Sequence, residues 1–589
     1  MRAERLAMPC SFWARIAPAA KRSKTWNPTR GPVQRGKFAA EIHRALSFLS
    51  SSPGPGRRRY FRGWRAACTC VADGHMALTA HDLAHADVPP VAESPASERR
   101  LWRSWLVYSL SSVASRLIGF LMLPIYTRVL SPEEFGIRAM VTVGVDLVGM
   151  VCSLGLTTAM IRYYTGERGQ GRHPAAVSTA YVTGTLVLGT GVGLGMLAAP
   201  WLATLVLGSA AHADFLRLGL MSLFFMNTME IGLAYLRVRQ RATTVALLSL
   251  STLGLTLASN IVLVVFLRWG VAGILYGEIL TYSIFSAILA RTTLREVGLK
   301  VSVDLARRMV AYGAPLTLMP FAWLLVNRSD GVFLTHQGSL GTAGIYALAI
   351  QCAQVLLLAI IMPFRDAWDP GQFELARNPD AQRAYRRMFQ AFTFTIVIAG
   401  LAFAIAADDV IHVMAAPAFH SAATVVPVLL AAHVVMGMSL FFNSGLLVKN
   451  RTALLGAVAL VTAAVNVAAN AVLVPRYFAL GAAASRLIAL LVMAALTYVL
   501  AQRLWPQRPD FTALAKVVGL ALAGFALSRL LPREPLIASL AIKASIVGAV
   551  VVLSVLAGAI DRRDLRRVGG LLRERLDRIR RRPVPDPIH

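Results

Sequence analysis

The chain has 589 residues, of which 56% are hydrophobic and 15% charged, and its mean hydropathy is +0.58. That balance excludes a soluble globular protein and indicates a polytopic membrane protein. The formal charge of +30 would suggest nucleic acid in a soluble chain, but most of the arginines lie in the two tails and in alternate loops, so the expected partner is the anionic phospholipid bilayer and not nucleic acid.

Residues 1–100 lack a span-length apolar run and are rich in Arg, Ser, Pro and Gly, with Arg57, Arg58 and Arg59 the densest cluster. They read as a disordered basic extension, or as residues upstream of a true start at Met76. No apolar stretch followed by a small-residue cleavage site marks a secretory signal. From Trp102 onward about fourteen apolar runs are each long enough to cross a bilayer. They lie near 104–130, 138–161, 175–199, 214–236, 243–267, 270–290, 310–335, 340–364, 389–407, 421–446, 452–474, 478–501, 514–531 and 536–559. The five cysteines, Cys10, Cys68, Cys70, Cys152 and Cys352, form neither a disulfide framework nor a metal-binding spacing.

The spans repeat at an offset of about 208 residues: Thr127, Gly136 and Ile137 recur as Thr335, Gly344 and Ile345, and Gly273 recurs as Gly481. Roughly six spans separate the copies, so the halves run in the same direction as parallel repeats. The expected architecture is all-α, with a six-helix bundle over 101–300, a second over 301–505, two additional transmembrane helices over 506–560 and a basic tail over 561–589. Even-numbered connections hold about 21 Lys and Arg against about 7 in the odd-numbered ones. By the positive-inside rule both termini are then cytoplasmic.

The stretch from Arg116 through Pro124, Tyr126 and Arg128 to Ser131-Pro132-Glu133-Glu134-Phe135-Gly136 resembles the first helix and loop of polysaccharide-biosynthesis flippases. These are the O-antigen and exopolysaccharide exporters of the multidrug/oligosaccharidyl-lipid/polysaccharide superfamily. The resemblance continues at Gly155 to Tyr163, Pro315 to Asp330, Gly344-Ile345-Tyr346, Trp368 to Pro370, and Asn466 and Asn470 to Gly481. Gly331 follows Asp330 where that family usually has a basic residue, and Arg328 stands two positions earlier. The resemblance implies two six-helix bundles around a central cavity, an inner-membrane location in a bacterium, and a polyprenyl-diphosphate-linked oligosaccharide as substrate. A polysaccharide polymerase and glycosyltransferases are the protein partners that such a role brings.

A charge inside a span costs about 2.5–3.5 kcal/mol on insertion scales, so each needs a partner, water or a function. Arg116 lies near the middle of the first span, and a guanidinium suits bidentate phosphate recognition; the alternative is an ion pair with Asp146 or another acid. Arg328 and Asp330 are two apart on the seventh span and do not face each other, so one is expected at the cavity and the other across the bundle. Arg486 adds charge to the far wall or anchors at the outer interface. The acids Asp146, Glu230 and Glu278 either relay a proton or sodium ion or neutralise arginines. Gly313, Pro315 and Pro320 should break the seventh span. No Gly-rich phosphate loop, metal-spaced His/Glu helix or large catalytic insert occurs, so no cofactor, metal or ATPase activity is expected. The expectation is a non-enzymatic flippase working by alternating access. The rivals are a cation-coupled multidrug exporter of the same superfamily and a membrane glycosyltransferase or ligase acting on the same lipid.

Overall fold

A computed structural model describes residues 122–166, 173–377, 380–530 and 536–559. The N-terminal extension, Arg116 with most of the first predicted span, and the basic tail lie outside the described residues. Within them every regular element is a helix. Eleven helices are long and apolar enough to cross a membrane, or twelve when the bent pair Val303–Thr317 and Met319–Gln337 forms one span. The chain is an all-α, multi-pass membrane protein.

In chain order, α1 (Leu123–Val129) ends the first predicted span, and α2 (Pro132–Ser153) with α3 (Leu156–Gly166) makes the second. Then come α4 (His173–Leu197), the short α5 (Ala199–Leu207), α6 (Ala213–Val238), α7 (Ala242–Asn260) and α8 (Gly270–Val297). The seventh predicted span is α9 (Val303–Gly313) with α10 (Leu318–Gln337), and the eighth is α11 (Leu340–Leu356) with α12 (Met362–Leu375). The chain continues as α13 (Ala381–Met414), α14 (Ala422–Val448), α15 (Thr452–Leu504), α16 (Phe511–Leu530) and α17 (Leu536–Leu556). With 53 residues, α15 would be about 80 Å long at 1.5 Å per residue, against a hydrocarbon core of about 30 Å. It is broken at Phe478, where φ is 47°, and so accounts for two predicted spans.

Local chemistry sets these boundaries. Ser131 caps α2 in a reciprocal box with Glu134, Pro132 occupies the first turn, and Glu133 and Glu134 sit at the positive end of the helix dipole. Ser339, 208 residues later, caps α11 by accepting from the Thr342 amide. The seventh span breaks where the sequence places it: the backbone tightens to a 3-10 turn over Ala314–Thr317, and the two parts are bent by 43°. Apolar side chains such as Leu194, Leu197 and Phe266 point outward, as lipid-facing residues do.

The two sequence repeats meet along α2. Gly136 on α2 packs against the backbone at Leu340, and Gly344 on α11 packs against that at Pro132. A methyl group at Gly136 would lie 2.8 Å from the Leu340 carbonyl carbon, and one at Gly344 would lie 2.8 Å from the Gly136 nitrogen. Pro132 and Leu340 are also 208 apart, so the contact is reciprocal, as a two-fold axis passing between the helices requires. A second approach occurs at the far end of α2. Leu154 and Gly155 both have positive φ, the chain turns between α2 and α3, and the Gly155 backbone abuts that of Gly313 on α9.

The sequence reading assigns residues after 300 to the second bundle, yet α9 packs on first-half helices. Leu305 and Met309 join Leu156, Met160 and Tyr164 of α3 and Val177 of α4 in one apolar cluster. The preceding turn is pinned there too, because Ser178 Oγ donates to the Lys300 carbonyl and the Ser302 amide donates to Thr179 Oγ1. The buried face of α9, Leu305, Met309 and Gly313, recurs every four residues and covers those helices before the break redirects the chain. In the second half Phe364, Trp368, Tyr385, Phe389 and Phe392 gather around Phe441, while Tyr385 donates to Gln507. The last two helices lie on α13, with Lys543 of α17 2.7 Å from Asp409. Lys543 is thus paired and mostly buried.

Candidate functional site

Each described charge expected to matter inside a span has found a partner, and the pairs fall into three groups. The first lies within the first half. Arg138 Nη2 is 2.7 Å from Glu278 Oε1, and beside them Asn260 donates to the Tyr126 hydroxyl. Arg138 lies inside α2, and its pairing explains how Glu278 is tolerated. Glu230 is handled more simply: Arg237, two turns along α6, lies 2.6 Å away on the same helix surface.

The second group closes the interior of the second half. Asp330 is 0% exposed and Arg486 4%, and the guanidinium contacts the same carboxylate oxygen through Nε at 2.8 Å and Nη2 at 2.7 Å. Asp330 also accepts from the Tyr346 hydroxyl and from Asn470, and Arg486 donates to the Asn327 carbonyl. Ser329, Asn466 and Asn470 extend the network between α10 and α15. Such a pair is tolerated when hydrogen bonds fill the remaining lone pairs and N–H groups. Arg486 therefore lies neither on an open cavity wall nor at an interface, and Asp330 presents no surface to a ligand in this state.

These two groups occupy equivalent places in the repeat. Position 138 corresponds to 346 and position 278 to 486, so an Arg–Glu ion pair in one half stands where a Tyr ring lies 5.9 Å from an Arg guanidinium in the other. Asn260 and Asn470 complete the parallel at an offset of two more residues. Aligned charges alone could not disclose this, because the two halves neutralise the same positions with different chemistry.

The third group joins the halves. Arg328 Nη2 on α10 is 2.8 Å from Asp146 Oδ2 on α2, with side-chain exposures of 41% and 33%. Asp146 lies ten residues beyond Gly136, about 15 Å along the helix, and nine residues before Gly155, so the pair sits midway between the two close approaches. A half-exposed ion pair at that depth faces either hydrocarbon or water. The insertion penalty of about 2.5–3.5 kcal/mol per charge selects water. A guanidinium carries five N–H donors, so beside this carboxylate Arg328 can still hold a planar or bidentate oxyanion. The sequence reading correctly separates Arg328 from Asp330, which turn to different partners. Asp146 pairs with Arg328, while the alternative of an ion pair between Arg116 and Asp146 or another acid concerns a residue outside the described ones.

Comparisons with known proteins agree with this architecture. Residues 101–376 match the family model described as "Polysaccharide biosynthesis protein". Protein 1 of the Lsg locus of Haemophilus influenzae is 24% identical over 273 residues, which span 44% of this chain and 63% of that relative. Among solved structures, the lipid II flippase MurJ in an inward closed conformation superposes with a TM-score of 0.64 at 10% identity, covering 78% of this chain and 99% of the other. An inward-facing multidrug resistance transporter of the MATE family gives a TM-score of 0.54 at 16% identity, covering 68% and 96%. At these identities the structural likeness concerns the fold. Residues 101–376 of this multi-pass membrane protein therefore resemble the polysaccharide biosynthesis protein family, on a fold shared with flippases and multidrug transporters.

Proposed function

We propose that this protein moves a polyprenyl-diphosphate-linked oligosaccharide between the leaflets of a bacterial inner membrane during cell-surface polysaccharide synthesis. The observation that carries the proposal is Arg328: a partly exposed guanidinium, midway along the span, on the seam between the halves. It would hold the diphosphate while the glycan occupies the aqueous crevice and the polyprenyl chain stays in lipid. Arg116 is the second cation proposed for the same group. Asp330 and Arg486 act in this reading by fixing α10 against α15, so that Arg328 is presented at a constant height. Both termini are placed in the cytoplasm, from the bias of basic loops.

Alternating access would proceed by rocking of the halves, opening and closing the Gly136–Gly344 contact between α2 and α11. Among the described in-span acids, Asp146, Glu230, Glu278 and Asp330 each already hold an arginine. This favours a carrier drawn by consumption of its product over a cation-coupled exporter with free carboxylates.

The test is reconstitution into vesicles with a labelled polyprenyl-diphosphate oligosaccharide in one leaflet and ethidium inside. Transfer of the lipid without ethidium export supports the proposal. Ethidium export without lipid transfer would assign the protein to multidrug efflux.

A further inference from the structure

We propose that Asp146 is a built-in competitor of the substrate: its carboxylate occupies Arg328 in the empty carrier and is displaced when the diphosphate arrives. This rests on the proposed function above and adds a role for an acid that neither the family match nor the fold assigns. Three observations carry it. The closest contact of the pair is Nη2 to Oδ2 at 2.8 Å, and a guanidinium carries five N–H donors, more than one carboxylate can occupy, so donors remain to receive a second oxyanion before the first leaves. Both side chains are partly open, at 41% and 33%, so the exchange needs no unfolding. Finally, the partners belong to opposite halves, α2 and α10.

The contrast with the neighbouring pair is instructive. Asp330 and Arg486 share two short contacts and extra hydrogen bonds, are sealed from solvent, and both belong to the second half. That pair cannot exchange with a ligand and would transmit nothing between the halves if it did. Arg138–Glu278 lies within the first half and Arg237–Glu230 within one helix. The Asp146–Arg328 pair therefore combines accessibility with a position across the seam. Displacement by a diphosphate cuts a tie between α2 and α10, so loading of the carrier and freedom to rock are linked.

The experiment measures equilibrium binding of farnesyl diphosphate and farnesyl monophosphate to the purified full chain in detergent, for wild type, Asp146→Asn, Asp146→Glu, Arg328→Ala and the double variant Asp146→Asn/Arg328→Ala. Removing a partly exposed competitor worth about 1 kcal/mol predicts about fivefold tighter diphosphate binding by Asp146→Asn. Asp146→Glu keeps the charge and stays near wild type. In the Arg328→Ala background the Asp146→Asn change has no effect on binding, because the competition is for that guanidinium. Unchanged or weaker binding by Asp146→Asn, with wild type preferring the diphosphate, overturns the competitor role and leaves the proposed substrate class standing. Failure of wild type to prefer diphosphate over monophosphate overturns both.

Discussion

Gly136→Ala is the substitution with the most directly calculable consequence. The new methyl group would lie 2.8 Å from the Leu340 carbonyl carbon, whereas ordinary contact begins at 3.4 Å, so α2 and α11 must part by at least about 0.6 Å, and by more to clear the carbonyl oxygen. The obstacle is backbone, which has no rotamer to change. Overpacking of this kind costs about 1–3 kcal/mol, and a backbone obstacle places it toward the upper end. Gly344→Ala should cost a similar amount, since its methyl group meets Pro132 and Gly136 in the reciprocal arrangement. One separation of the helices relieves both clashes, so the double variant should lose less than the sum of the two single losses. Gly254→Ala is the control: nothing lies within 4 Å of its methyl position, and alanine there should be neutral or stabilising by roughly 0.5–1 kcal/mol. Chemical denaturation in detergent, followed by tryptophan fluorescence, measures all four proteins. The reasoning is refuted if Gly136→Ala is as stable as Gly254→Ala, or if the two seam substitutions are strictly additive.

Other consequences concern the buried charges and the C-terminal helices. Arg486→Met leaves Asp330 uncompensated at 0% exposure and should cost about 3–5 kcal/mol in the same denaturation assay, whereas Asp330→Leu/Arg486→Met should lose less than the single variant. Lys543→Met strips Asp409 of its cation and should raise amide hydrogen exchange in α17 more than in α14, which supplies neither residue of that pair. Asp510, in the turn before α16, accepts from Thr512, from Arg386 and from the Ala513 amide, and these hold its carboxyl well below the usual carboxylate range. A depressed folded-state value means the stabilisation is fully present above the unfolded value of about 3.9 and is lost as pH falls from there toward the folded one. Exchange in α16 should therefore rise on acidification below about pH 4, and Asp510→Asn should flatten that dependence.

Much of the fold is legible from apolar run length, because a bilayer demands about 20 residues per helix and leaves few alternatives. The break at Gly313 and Pro315 is likewise local chemistry, since proline removes a donor and glycine permits the close approach to Gly155. What the sequence does not disclose is pairing at a distance. Arg328 and Asp330 are two residues apart and separate to α2 and α15, a consequence of the 100° step per residue that the sequence implies without naming the partners. Arg138 was hidden because it precedes the apolar core of its span, and Asn260 because a lone amide among apolar residues carries no pattern of its own. The repeat is visible as matching glycines and serine caps. That Glu278 and Arg486 are equivalent members of two neutralised clusters emerges only when each is seen beside its neighbour, Arg138 in one half and Tyr346 in the other.

The most direct test of the central claim is the rate at which a polyprenyl-diphosphate oligosaccharide crosses between leaflets in vesicles holding wild type or Arg328→Ala, with folding of both checked by denaturation. Transfer above protein-free vesicles for wild type, falling at least about tenfold in Arg328→Ala, is the expected result; a lost charge-assisted contact worth about 1.5–3 kcal/mol sets that scale. Wild-type transfer that Arg328→Ala reproduces in full would contradict the account, and so would wild type that moves no such lipid.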